Sequence, residues 1–175
     1  MLKNFTISIF IFFGICVFYF FIMISKTEDH FTYLLDDAYI HLALAKNYAF
    51  HDIWWITKYV FSSSSSSPIF TYLISLLMKV FGNSELIPFC INVFCMVGVI
   101  YFLTRYYSRF SNMTTFVTLS VLITVFSSVL HLQVFSGMEH VLQVLLVVIN
   151  IFFLTDWASS NFKKTNSLLF FYGSI

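Results

Sequence analysis

Charge is scarce in this chain of 175 residues: Asp, Glu, Lys and Arg make up 10% of it, against 59% hydrophobic residues. With only five Gly and two Pro besides, there is far more apolar surface than a water-soluble domain can hide in one core, so a soluble fold is excluded. The nine basic residues are scattered and the formal net charge is +1, which lacks the clustered positive footprint of a nucleic-acid binder. Nucleic acid is therefore discarded as a partner. Cysteine is equally uninformative for chemistry. Cys16 lies in the first hydrophobic run, and Cys90 and Cys95 sit five apart on different faces of a later one. Neither a disulfide framework nor a metal knot can be read from that spacing, and the three serve as small packing residues.

What is abundant is long apolar sequence, including 24 Phe and 10 Tyr, and mean hydropathy is +0.88. Residues 5–25 form a run longer than the core of a signal peptide and lack a small-x-small cleavage site, which predicts an uncleaved signal anchor with the bilayer as partner. Further runs follow at Pro68–Phe81, Leu86–Thr104, Met113–Leu130 and Val141–Trp157, each rich in Leu, Ile, Val and Phe all round. A last run, Leu168–Ile175, is too short to cross about 30 Å of hydrocarbon, so the chain is expected to be the N-terminal portion of a larger protein. The expected fold is all-α: a polytopic transmembrane helical bundle with a juxtamembrane helix between the first two hydrophobic runs.

Residues 26–67 form the one long polar segment, with three lysines against five carboxylates for a net charge of −2. By the positive-inside rule it is extracytoplasmic. Within it Asp36–Phe50 has helical character: Ile40, Leu44, Ala45 and Tyr48 recur at helical steps, and the carboxylates open the run where the macrodipole favours them. A helix lying along the membrane surface is expected. Counting every run as a full crossing would place Arg105 and Arg109 outside. Treating Pro68–Phe81, about 21 Å as a helix, as a re-entrant or partial span puts Lys3, Arg105, Arg109, Lys163 and Lys164 together in the cytoplasm. Glu139 and all five histidines then lie outside, and this arrangement is preferred.

Three constellations can carry chemistry. Asp36 and Asp37 are ionisable groups beside a bilayer, where charge is costly, and His41 lies one helical turn beyond Asp37. One carboxylate could take a proton from an incoming hydroxyl while the other and the histidine hold it or bind a divalent ion; an ordinary acidic helix start is the bland alternative. Ser136-Gly137-Met138-Glu139-His140 suggests a tight glycine turn presenting Glu139 and His140 at the interface, or simply polar residues at a helix end. Six serines, Ser62–Ser67, precede Pro68 as either a flexible linker or a phosphate cradle of Ser66, Ser67 and backbone amides, with Lys58 nearby as a counter-charge. Trp54, Trp55 and Tyr59 read as an interfacial aromatic belt.

In this order, the string Asp36-Asp37-Ala38-Tyr39-Ile40-His41-Leu42-Ala43-Leu44-Ala45-Lys46-Asn47, the serine stretch closing on Pro68, and Ser136-Gly137-Met138-Glu139-His140 resemble a bacterial group of polytopic proteins. That group is similar to the GT-C superfamily of glycosyltransferases, which includes protein mannosyltransferases and aminoarabinose transferases. The resemblance spans about residues 1–157. It implies a multi-pass protein of the bacterial inner membrane that takes a polyprenyl-phosphate-linked sugar as donor and a glycan, lipid or protein hydroxyl as acceptor. Asp36 matches the catalytic carboxylate and Asp37 its pair, while Glu139 falls near a second acidic position. Superfamily members have many more spans, and many carry an arginine in the helix after the acidic pair, where Leu42–Ala45 stand here. The competing reading is a non-catalytic membrane subunit, a transporter component or a truncated gene remnant. Against a relay through the membrane, the charges gather at one surface and the spans are nearly uncharged apart from Lys79 and Glu85 beside a break.

Overall fold

The computed structural model describes residues 1–28, 30–57 and 65–159. Asp29, Lys58, Tyr59, Ser62–Ser64, Lys163, Lys164 and the run Leu168–Ile175 lie outside the described residues. The chain is all-α, with no strand among the described residues: α1 (Leu2–Lys26), α2 (Asp37–His51), α3 (Pro68–Phe81), α4 (Ile87–Tyr107), α5 (Thr114–Ser127), the short α6 (Leu130–Gln133), a 3-10 turn over Val134–Ser136, and α7 (His140–Ser159).

Three helices, α1, α4 and α7, are long and apolar enough to cross a bilayer. The chain is an integral membrane protein. A fourth crossing exists if α5 and Leu130–Ser136, bent by 63° at a short break, count as one span. The break has a local cause: Ser128 turns its hydroxyl back onto the carbonyls of Thr124 and Val125, and Val129 then takes the left-handed conformation at φ 59°. At 14 residues, α3 is shorter than a span.

The described residues form two compact units. The first comprises Met1–Phe18, Phe94–His131 and the chain from His140. Its polar contacts sit around the C-terminal end of α4, where Arg109 pairs with Asp156 at 2.8 Å and the Tyr107 hydroxyl meets Thr124 Oγ1 at 2.8 Å. The second comprises Tyr19–Val93 and Leu132–Glu139, so it brings the acidic loop and the glycine turn into one body. Phe20, Phe31, Phe89 and Phe135 form its aromatic centre, with ring centroids 5.2–5.9 Å apart along the chain of contacts.

Two expectations are corrected in this second unit. Along its buried face α2 packs on α3. Its buried stripe is Ala38, His41, Leu42, Leu44, Ala45 and Ala49, whereas Ile40 and Tyr48 are only half-buried. Alanines win the inner face because a small side chain lets two helix backbones approach closely. Nor is α3 apolar all round: it buries Phe70, Thr71, Ile74, Ser75 and Met78 and exposes Ile69, Leu76, Val80 and Phe81. Two hydroxyls on the inner stripe mark that face as a place where polar groups meet. In the first unit, as expected, Cys16 and Cys95 are buried packing residues, and none of the three cysteines is in a disulfide; Cys90, in the second, is exposed.

Candidate functional site

The site grows from the start of α2. Asp36 caps the helix through its backbone and makes no side-chain cap bond; Asp37 occupies the first turn, and both are exposed. One turn on, His41 faces inward and is 1% exposed. Its Nδ1 lies 2.7 Å from Thr71 Oγ1, which in turn donates to the Ser67 carbonyl at 3.1 Å. With the Thr71 proton committed to that carbonyl, its oxygen is left to accept from His41 Nδ1–H. The lone pair of the imidazole is then on Nε2.

Nε2 points at two groups: Ser66 Oγ at 3.3 Å and Glu139 Oε2 at 3.7 Å. Glu139 is 5% exposed, and its Oε2 has no hydrogen-bond partner among the described residues. Burial holds His41 below the ordinary histidine range, and the carboxylates of Glu139 and Asp37 pull it back only in part. A neutral imidazole therefore faces a buried carboxyl oxygen across a gap too long for a direct hydrogen bond. The Ser66 hydroxyl can donate to Nε2, which leaves Glu139 Oε2 as the acceptor without a donor among the described residues.

The turn that delivers Glu139 depends on a glycine. Gly137 has φ +71° and sits against Tyr33 and Ala38 so tightly that an added Cβ would lie 2.5 Å from Tyr33 Cδ1 and 2.7 Å from the Ala38 methyl. Tyr33 cannot easily give way. Its hydroxyl donates to the Glu85 carbonyl and accepts from the Phe89 N–H at 3.2 Å, while its own N–H donates to the Tyr39 hydroxyl at 3.0 Å. Burial pushes the Tyr33 phenol well above its ordinary range, which fits a structural hydrogen-bond role. Asn92 Nδ2, from α4, donates to the Met138 carbonyl at 3.0 Å and fixes the turn from the other side.

No family model, curated protein or solved structure matches this chain.

Of the residues singled out in the sequence, the structure brings together His41, Glu139 and Ser66, with Asp37 coupled to His41 electrostatically. Glu139 is not presented at an interface as expected. The turn tucks it inward against His41, because the left-handed glycine reverses the chain just before it. His140 opens α7, is half-buried, and makes no hydrogen bond or ion pair among the described residues. Ser67 stands at the α3 start without a side-chain cap bond and serves through its carbonyl. Lys58, the expected phosphate counter-charge, lies outside the described residues. The belt expected of Trp54 and Trp55 is partly internal: Trp54 packs edge-on against Tyr48 at 5.2 Å, and the Trp55 carbonyl accepts from Asn47 Nδ2 at 2.6 Å.

As a divalent-metal site the cluster is incomplete, since no three His, Cys, Asp or Glu among the described residues converge to hold an ion. Thr71, Ser65 and Tyr33 were missed in the sequence. Ser65 Oγ contacts Thr71 Oγ1 at 2.9 Å and extends the hydroxyl network. The available signal was the pair Thr71 and Ser75, four apart on a helix that is mostly large and apolar up to Lys79 in its last turn.

Proposed function

We propose that the chain carries the catalytic end of a GT-C-like membrane glycosyltransferase, acting at the extracytoplasmic face on a polyprenyl-phosphate-linked sugar. The observation that carries this reading is the meeting of His41 with Glu139 at 3.7 Å. Two of the three motifs on which the resemblance rests, about a hundred residues apart in the chain, supply the two sides of this gap. Support also comes from the integral-membrane character and from the exposed carboxylates one turn away.

In this reading a hydroxyl of the acceptor, a glycan, lipid or protein, docks at the α2 entry beside the His41–Glu139 pair with its proton directed to Asp36. Asp36, exposed at the α2 entry, takes that proton as the oxygen attacks the anomeric carbon from the face opposite the phosphate. The bond from that carbon to the phosphate oxygen breaks, the electron pair leaves with the polyprenyl phosphate, and configuration inverts. Asp37 keeps the entrance negative beside the proton acceptor, and Ser66 and Ser67 at the α3 start offer hydroxyls to the donor phosphate. Most of the rate comes from holding donor and hydroxyl in register.

The test is transfer of radiolabelled sugar from polyprenyl phosphate by the full-length protein reconstituted in vesicles. Asp36→Asn is expected to lose transfer by about 100-fold or more. Undiminished transfer by that variant removes Asp36 from the mechanism, and no transfer by the wild type to any class of acceptor removes the reading.

A further inference from the structure

An apolar hollow belongs to the first unit and has no part in the proposed reaction. It is a cavity of about 180 Å³ between α4 and α7, walled by Phe102, Tyr106, Val148, Ile151 and Phe152. Among the described residues α7 packs little of its apolar surface against the rest of the unit. Two arginines border the hollow through a shared wall residue. The Arg109 guanidinium lies 4.1 Å from the Phe152 ring centre and the Arg105 guanidinium 5.0 Å from it.

The two cations differ in what neutralises them. Arg109 is held by Asp156 at 2.8 Å. Arg105 is exposed and makes no ion pair among the described residues; it rests on the faces of Phe152 and Tyr101. Ring stacking fixes a guanidinium and leaves its N–H edge free, which is the edge that meets phosphate oxygens two at a time. Phe5 packs on Tyr101 at 5.5 Å and so brings Lys3, two residues earlier in α1, to the same end of the unit. Among the described residues, one carboxylate, Asp156, against three cations leaves this end positively charged. By the positive-inside rule it faces the cytoplasmic leaflet, where anionic lipid is concentrated.

We propose that this slot seats an acyl chain of a glycerophospholipid whose headgroup is net negative, with Arg105 and the Tyr106 hydroxyl gripping the phosphate. The apolar walls select a hydrocarbon chain, and the unneutralised guanidinium at the rim selects the charge of the head. The inference stands apart from the glycosyltransferase reading, since no residue is shared between the two sites.

The full-length protein, purified in mild detergent with an equimolar mixture of phosphatidylglycerol and phosphatidylethanolamine, can be examined by native mass spectrometry for retained lipid. The wild type is expected to retain phosphatidylglycerol in preference to phosphatidylethanolamine. Arg105→Gln should reduce that preference about fivefold, the share of one interfacial cation. Ile151→Trp, which fills the slot without touching the charge, should reduce retention of both lipids, and Lys46→Gln on α2 should change neither. Equal retention of the two lipids by the wild type overturns the proposal, as does an unchanged preference in Arg105→Gln. Full retention in Ile151→Trp reduces the contact to a surface charge and overturns the seat. Arg105 is exposed, so its variant is expected to fold, and an unchanged thermal transition in the same detergent verifies this.

Discussion

Gly137→Ala is the most informative single change, because the structure fixes both of its costs. The backbone there stands at φ +71°, a conformation that charges a residue with a Cβ about 1–2 kcal/mol. The new methyl would lie 2.5 Å from Tyr33 Cδ1 and 2.7 Å from the Ala38 methyl, both inside contact distance. Overpacking of this kind costs about 1–3 kcal/mol when neighbours are unable to move. Tyr33 is pinned at its hydroxyl by two backbone groups, and Ala38 belongs to a helix packed on α3. The expected loss of stability is therefore about 2–5 kcal/mol. Unfolding in graded mixtures of mild detergent and dodecyl sulfate, followed by tryptophan fluorescence, measures it. Gly14→Ala is the internal control: no atom lies within 4 Å of its would-be Cβ. That change should be neutral or raise stability by up to about 1 kcal/mol through helix propensity. If Gly137→Ala unfolds within about 0.5 kcal/mol of the wild type, the range of an ordinary surface change, the close packing of the glycine turn on Tyr33 is wrong.

Other consequences are equally direct. Thr71→Val removes the oxygen that accepts from His41 Nδ1 and should cost about 1–3 kcal/mol in the same unfolding assay; a silent change would show that the imidazole is oriented by something else. His41 is held below its unfolded value of 6.5, so the unfolded state binds more protons between the two values. The stability contributed by its neutral form is present above pH 6.5 and is lost as pH falls through the lower, folded value. His41→Gln should accordingly flatten the fall in stability between about pH 7.5 and 5, and an unaltered slope would assign that fall to other groups. In a cysteine-free background, Asn83→Cys should react with an impermeant thiol reagent from outside intact cells and Asn112→Cys should not. The reverse pattern would invert the preferred topology.

Much of the fold was legible because lipid imposes one simple requirement, that a spanning segment be long, apolar and helical. The run at Pro68–Phe81 is α3 residue for residue, and α2 begins at Asp37, where the acidic pair announces a helix start. Burial was harder to read. A surface helix and a packed one share the same periodicity, so hydrophobicity draws the stripe through Ile40, Leu44, Ala45 and Tyr48, whereas packing against α3 keeps Leu44 and Ala45 and adds the small residues Ala38 and Ala49. The candidate site was half legible. Asp36, Asp37, His41 and Glu139 stand out as ionisable groups in an apolar chain, but which of them turn inward depends on the left-handed Gly137 and on partners such as Thr71 and Asn92. Those residues are ordinary polar positions until the helices are set beside one another.

The account rests on the first acidic motif and the glycine turn acting as one site. A double-mutant cycle on sugar transfer, with Asp36→Asn, Glu139→Gln and the pair in the reconstituted full-length protein, measures that directly. If both residues serve the same hydroxyl, the double variant should be little slower than the slower single one, a coupling of about 1 kcal/mol or more. Losses that simply multiply, or a Glu139→Gln rate equal to the wild type, would contradict it.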